Sequence, residues 1–155
     1  MLELENCLTF EMRGMIWNSD GFRDPRKHVM VNESVQEYKL DFVAIVETGR
    51  SNFATHFLKF LAGEFEYEWF CLPPHGRSGG ILVGMNSASF AVQKIVAGDF
   101  CVKFHGRSKL DGFLWVLVVV YGAAQDDKKH EFLAELVRIC DTESLLCWWG
   151  VISIL

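Results

Sequence analysis

The sequence predicts an α/β protein of one domain, in which two sheets pack face to face with helices outside them. Three observations carry this. The chain opens as strand, helix, strand, with connections short enough for a parallel pair. After residue 63 the rhythm changes to short strands separated by turns. A helical pattern returns only near residue 126. A doubly wound sheet would keep alternating helices with strands, and this chain does not.

Each element has its own local reason. Residues 11–18 (EMRGMIWN) read as a first strand. Asp24 followed by Pro25 is a helix start, with the carboxylate as cap and the proline at the first helical position. Val31, Val35 and Tyr38 recur at helical spacing, so this helix runs to about Lys39. Residues 42–46 (FVAIV) follow at once as a buried strand. Ser51 is placed to cap a second helix whose Phe53, Phe57, Phe60 and Leu61 share an apolar face, stopped at Gly63. Strands are expected over 65–70, 80–85, 90–96, 99–105 and 113–121. The turn residues at 76–80 (GRSGG) and 109–112 (KLDG) read as connections, the latter as a hairpin. Residues 116–120 are β-branched or leucine, without polar relief, as in a strand covered on both faces. Asp126 or Asp127 starts a third helix with Phe132, Leu133, Leu136, Val137 and Cys140 facing inward.

The 155 residues are half hydrophobic and 14% aromatic, which suits a chain that buries a core rather than a disordered one. A net charge of −5 supplies no basic footprint for nucleic acid over the whole chain. Two local clusters (Arg23, Arg26, Lys27, His28; and Lys103, His105, Arg107, Lys109) read first as solvated faces. Five cysteines, an odd number without framework spacing, point to reduced thiols inside a cell. No apolar run approaches the ~20 residues of a membrane span, and residues 1–10 resemble neither a signal nor a transit peptide. Cys101 with His105, and Cys71 with His75, lack the second ligand pair that a zinc site requires. The glycines at 76–80 lead into a strand without the Lys-Ser/Thr of a phosphate loop.

Two strand ends carry the most chemistry. Trp17-Asn18 closes the first strand, and the run 40–46 ends on Glu47. Carboxyl ends of strands are where open α/β sheets bind ligands. Taken singly, Asn18 is ordinarily a turn former, Glu47 a solvated loop residue, and Tyr121 a core ring with a wet hydroxyl.

Four strings change that weighing: WNSDGFRDPRKH, KLDFVAIVET, GRSGGILVGMN and WVLVVVYGAAQDDKKHEFLAEL. In collinear order over about residues 11–146, they resemble the endonuclease/exonuclease/phosphatase superfamily. The nearest resemblance is to the endonuclease domain of plant LINE-type retrotransposons, itself similar to AP endonucleases. The resemblance implies a four-layer α/β/β/α sandwich, of which this chain is the N-terminal part, and Mg²⁺-dependent cleavage of phosphodiester bonds. By motif, it implies that Asn18 helps hold metal and phosphate, Glu47 binds metal, and Tyr121 contacts the scissile phosphate. DNA is then the expected partner and the nucleus the expected place. Asp20, where relatives often carry a basic or small residue, is a departure that would repel DNA unless it turns away or meets metal.

The resemblance also implies parts that do not appear. A Gly-Asp-x-Asn strand end, a later Asp and a terminal Asp-His pair would follow the third helix. No Asp or Asn occurs after Asp141, and none of His28, His56, His75, His105 and His130 aligns with the expected general base. A family-like segment MLVGGDFNI, encoded by suitable synonymous codons and read one nucleotide later, yields CWWGVISI, which is residues 147–154. A frameshift or altered splice is therefore expected.

The expected organisation is an N-terminal extension at 1–10, a partial domain at 11–146 and an aberrant tail at 147–155. The tail's Trp148, Trp149, Ile152, Ile154 and Leu155 are expected to form a makeshift strand. Residues 116–120 and the core faces of the helices are expected to lie open, inviting self-association or a partner. The functional expectation is an inactive endonuclease-like domain. The rivals are a residual nuclease or phosphatase whose site another chain completes, and a non-enzymatic interaction or nucleic-acid-binding module.

Overall fold

The computed structural model describes residues 12–74, 79–121, 126–142 and 147–151. Among them the elements run β1 (Gly14–Asn18), α1 (Pro25–Tyr38), β2 (Phe42–Val46), α2 (Thr55–Ala62), β3 (Tyr67–Leu72), β4 (Ile81–Asn86), β5 (Phe90–Ala97), β6 (Cys101–Ser108), β7 (Leu114–Val120), α3 (Lys129–Thr142) and β8 (Cys147–Val151). A single 3₁₀ turn, Asp126–Lys128, leads into α3.

The strands make two four-stranded sheets, ordered β1-β2-β4-β3 and β5-β6-β7-β8. β1 and β2 are parallel, joined by α1, while β4 lies antiparallel to β2 and β3. The second sheet is an antiparallel meander through β7, after which α3 carries the chain to β8, parallel to β7. Both parallel pairs need a helical crossover, because a tight turn cannot reverse the chain twice.

Side-chain alternation distributes the core into three layers. Phe42, Ala44 and Val46 of β2 meet Phe104, Trp115, Leu117 and Val119 between the sheets. Val43 and Ile45, on the opposite face of β2, pack on Val31, Val35 and Leu61 of α1 and α2. Val116, Val118 and Val120 pack under α3 with Cys101 and Ile139. The order is therefore helices, sheet, sheet, helix, as expected of an α/β/β/α sandwich. Gly106 is needed where it stands: a Cβ there would lie 2.0 Å from the Trp115 ring.

α1 forms as the sequence predicts. The Asp24 carboxylate accepts the Arg26 N–H at 2.9 Å, Pro25 opens the helix, and Lys39 ends it in the left-handed region at φ 48. The KLDG turn also holds: Asp111 accepts the Phe113 N–H at 3.0 Å, and Gly112 takes φ +76.

Four expectations are corrected. Ser51 does not cap α2; Ala54 occupies that position without a side-chain bond, and Phe60 is exposed on the outer side. The inward face of α3 is Phe132, Glu135, Leu136 and Ile139, while Leu133, Val137 and Cys140 face outward. Both stripes have helical spacing, and the sheet selected the one containing a carboxylate. Residues 116–120 are fully covered rather than open, because α3 closes their outer face and the other sheet their inner face. The two sheets themselves, four-stranded each among the described residues, are as the sequence predicts. A strand does form in the tail, with Trp149 opposite Val118. Ile152, Ile154 and Leu155, the extension at 1–10, and the centre of the GRSGG turn lie outside the described residues.

Candidate functional site

β1 and β2 end side by side, and their exits are tied together by backbone rather than by side-chain pairing. In register Asn18 stands opposite Val46, so Glu47 is the next residue beyond. The chain leaving β1 follows the chain leaving β2: Ser19 N–H donates to the Val46 carbonyl (3.0 Å), Gly21 N–H to Glu47 (2.8 Å) and Phe22 N–H to Thr48 (3.0 Å). The buried Ser19 hydroxyl lies within hydrogen-bond distance of the Val46 and Glu47 carbonyls, at 3.0 and 3.1 Å. On its other side the β2 exit is held by the end of the β3–β4 loop, where Gly80 and Gly79 carbonyls accept Thr48 and Gly49 N–H groups, both at 3.1 Å. Gly80, at φ +85, lets the two chains touch: a Cβ would lie 2.6 Å from the Thr48 hydroxyl.

Asn18 is half-buried, and its side-chain oxygen accepts the Asp20 N–H at 3.0 Å. Asn18 is thus a turn former, as its residue type suggests, and the turn it forms lies at the strand exit. The turn bends sharply, with Asp20 at φ 45 and Gly21 at φ 83. Lys27, one turn into α1, secures it. Its ammonium donates to the carbonyls of Ser19 (2.5 Å), Asp20 (3.2 Å) and Gly21 (3.0 Å). A cation therefore sits beneath the loop that carries the acidic Asp20.

Glu47 is half-buried and adopts φ 55, the left-handed region, which costs a non-glycine residue energy. The kink ends the in–out alternation of β2 at this carboxylate. Strained backbone of this kind persists only where neighbours enforce it; here the enforcers are the bonds from Ser19, Gly21 and Gly80. Beyond it, Arg50 lies over the rings of Phe53 and Phe57, at 4.6 and 5.2 Å from their centroids.

Tyr121 leaves β7 on the second sheet and packs against the inter-sheet core. Its hydroxyl donates to the Asp99 carbonyl at 2.5 Å and its N–H to the Phe100 carbonyl at 3.1 Å. Burial first, then the nearby Glu135, Cys101 and Asp99, pushes the phenol up to about 12. The structure brings Asn18 and Glu47 together at adjacent exits, and it directs the Tyr121 hydroxyl to the β5–β6 turn.

Among the described residues no group of three His, Cys, Asp or Glu converges as a metal cage. The Cys101 thiol donates to Glu135 at 2.8 Å, and burial with that bond pushes its pKa up. His75 lies outside the described residues. What Asn18 and Glu47 offer is one amide oxygen and one carboxylate. That is the donor chemistry of a hard cation which keeps most of its waters.

Sequence reasoning missed Ser19, Lys27 and Gly80. Lys27 read as one of a solvated basic cluster, and nothing local marks a lysine whose acceptors are three carbonyls of the preceding loop. A glycine before a strand was visible at 80, but its contact with Thr48 is a product of the fold.

No protein-family model and no curated relative matches the sequence. Solved structures do. The human Nocturnin catalytic domain with bound sulfate anion superposes with a TM-score of 0.64 at 12% identity, covering 89% of this chain and 63% of that one. The fold is that of the endonuclease/exonuclease/phosphatase superfamily. A member from Bacteroides thetaiotaomicron shares this fold with TM-score 0.61 and 13% identity, over 89% of this chain and 60% of that chain. The AP endonuclease LMAP from Leishmania major shares it with TM-score 0.56 and 17% identity, over 89% and 54%. The chain thus spans between half and two thirds of the length of these structures of the endonuclease/exonuclease/phosphatase fold.

Proposed function

We propose that this chain is an endonuclease-like domain of retrotransposon origin that binds a divalent metal weakly at the β1 and β2 exits and does not cleave phosphodiesters by itself. The single observation that carries the reading is the register of β1 on β2, which sets Glu47 beside Asn18 at one end of the fold. Superfamily structures, an AP endonuclease among them, share the fold. The sequence strings WNSDGFRDPRKH and KLDFVAIVET support the retrotransposon origin.

Asn18 and Glu47 would hold the ion, Mg²⁺ by the hardness of their oxygens. When bound, such an ion supplies neutralisation of charge on phosphoryl oxygens. The chain's own residues do the rest of the work at this end. Ser19 and Lys27 fix the loop carrying Asn18, and Gly80 fixes the exit carrying Glu47. Two protein donors leave the ion mostly hydrated, and His28, whose ring lies against the loop leaving β1, has its Nε2 on the Phe22 carbonyl at 3.2 Å. A base must reach its water within hydrogen-bond distance. Tyr121 would meet a phosphate only after giving up its bond to Asp99.

Nicking of supercoiled plasmid in Mg²⁺ tests this. The expectation is no cleavage above background for either the parent or Glu47→Ala. Metal-dependent nicking by the parent that Glu47→Ala abolishes would overturn the inactivity.

One observation favours a second reading, as an interaction module. Leu133 and Val137, 55% and 58% exposed, make an apolar stripe on the outside of α3. Sedimentation of the parent against a Leu133→Lys, Val137→Lys variant decides this: equal masses at all concentrations would discard it.

A further inference from the structure

α3 carries a carboxylate where packing alone would place an aliphatic side chain. Glu135 is 7% exposed and faces the second sheet among Phe132, Leu136 and Ile139. Its oxygens accept the Asp99 N–H (3.2 Å), the Phe100 N–H (3.3 Å) and the Cys101 thiol (2.8 Å). Asp99 and Phe100 belong to the turn between β5 and β6, and Cys101 opens β6. Gly98 completes the fit, since a Cβ there would lie 2.1 Å from a Glu135 oxygen, and the Gly98 N–H closes the turn on the Cys101 carbonyl at 2.7 Å.

The same turn is held from the other side by Tyr121. The Asp99 carbonyl accepts the Tyr121 hydroxyl and the Phe100 carbonyl accepts the Tyr121 N–H. Glu135 and Tyr121 therefore grip the same two residues: the carboxylate takes their N–H groups, while the Tyr121 hydroxyl and backbone N–H take the carbonyls of Asp99 and Phe100 in turn. Burying a carboxylate is expensive unless its donors are in place, and an apolar residue would pack at this face with less cost. Packing does not explain Glu135; holding the turn does.

We propose that Glu135 is a positioning residue for Tyr121. By clamping the Asp99 and Phe100 N–H groups, it aims the Asp99 carbonyl at the Tyr121 hydroxyl and fixes the phenol's proton there. The functional weight of that placement rests on the reading of Tyr121 as a phosphate contact, but the clamp itself does not.

The test is carbon NMR of tyrosine labelled at Cζ, with amide hydrogen exchange at Asp99 and Phe100. Tyr121→Phe assigns its signal. Tyr38, 57% exposed, gives the position of a solvated phenol. Tyr67, which lies in β3 of the other sheet and whose hydroxyl donates to the Leu40 carbonyl, is the internal control. Glu135→Leu keeps the apolar face and removes the clamp; the Tyr121 signal moves toward that of Tyr38, and Tyr67 stays. Glu135→Gln retains an acceptor and restores most of the parent position. Because charge-assisted bonds are roughly twice as strong as neutral ones, exchange at Asp99 and Phe100 in Glu135→Gln rises on the order of tenfold. An unmoved Tyr121 in Glu135→Leu, or a Tyr67 that moves equally, overturns the proposal. If Glu135→Leu does not fold, Glu135→Gln decides alone: unchanged exchange at the two amides overturns it, and a rise confined to them supports it. None of these readouts involves metal, phosphate or cleavage, so their failure leaves the proposed function standing, and its failure leaves the clamp.

Discussion

Replacing Glu47 separates its backbone from its carboxylate. At φ 55 the residue sits in the left-handed region, where an L side chain costs roughly 1–2 kcal/mol and glycine almost nothing. Glycine gives back part of this through the freedom it gains in the unfolded chain, roughly 0.5–1 kcal/mol relative to alanine. Taken at the middle of each range, the difference leaves Glu47→Gly more stable than Glu47→Ala by about 0.8 kcal/mol. Alanine is the right reference because both variants lack the carboxylate, so its loss cancels. Urea unfolding followed by tryptophan fluorescence reads the difference, and Trp17 of β1 reports beside the site. A domain of this size moves its melting point by about 2–4 °C per kcal/mol, so a thermal scan resolves the pair as well. Both variants lose the metal affinity of the exits. A glycine variant no more stable than alanine would refute the strained exit, and with it the claim that the fold forces this carboxylate out of the strand's alternation.

Two further outcomes follow from the same geometry. Lys27→Met keeps the side-chain stem but leaves the Ser19, Asp20 and Gly21 carbonyls without their donor, costing about 1–3 kcal/mol in urea unfolding; a cost below about 0.5 kcal/mol would mean that the loop stands without it. Tyr121 makes the fold sensitive to alkali. Its folded value of about 12 lies above its ordinary 10.0, so the fold favours the neutral phenol; its contribution is whole below pH 10 and disappears as pH rises through 12. The Tyr67 phenol is also raised, by burial first, and adds the same sign. Stability measured across that window falls less steeply in Tyr121→Phe than in the parent, and identical slopes would discard the assignment.

The two-sheet architecture was legible because its signals are local. Asp24 with Pro25 starts α1, the uninterrupted apolar run at 42–46 makes a strand buried on both faces, and Asp111-Gly112 turns β6 into β7. The faces of α3 were not. Phe132, Leu136 and Ile139 share a stripe with Glu135, while Leu133, Val137 and Cys140 form a second stripe free of charge. Each stripe has three apolar side chains, so a hydrophobic count does not choose between them, and the expected inward face mixes the two, with Phe132 and Leu136 right and Leu133, Val137 and Cys140 not. The sheet takes the first because Glu135 finds two donors in the turn below and a third at the start of β6, and that depends on pairing 35 residues away. At the site, Asn18 and Glu47 were visible as strand ends, whereas Lys27 acts through carbonyls, which no side-chain pattern advertises. The direction of the Tyr121 hydroxyl likewise depends on where the β5–β6 turn lies.

Manganese tests the metal end most directly, since it shares magnesium's preference for oxygen ligands and broadens nearby NMR signals. Titrated into nitrogen-labelled protein, it should broaden the amides of Ser19, Asp20, Glu47 and Thr48 first, and Glu47→Ala should abolish that selectivity. Broadening elsewhere, or a pattern indifferent to Glu47→Ala, would contradict the assignment of these paired strand exits as the place where the ion binds.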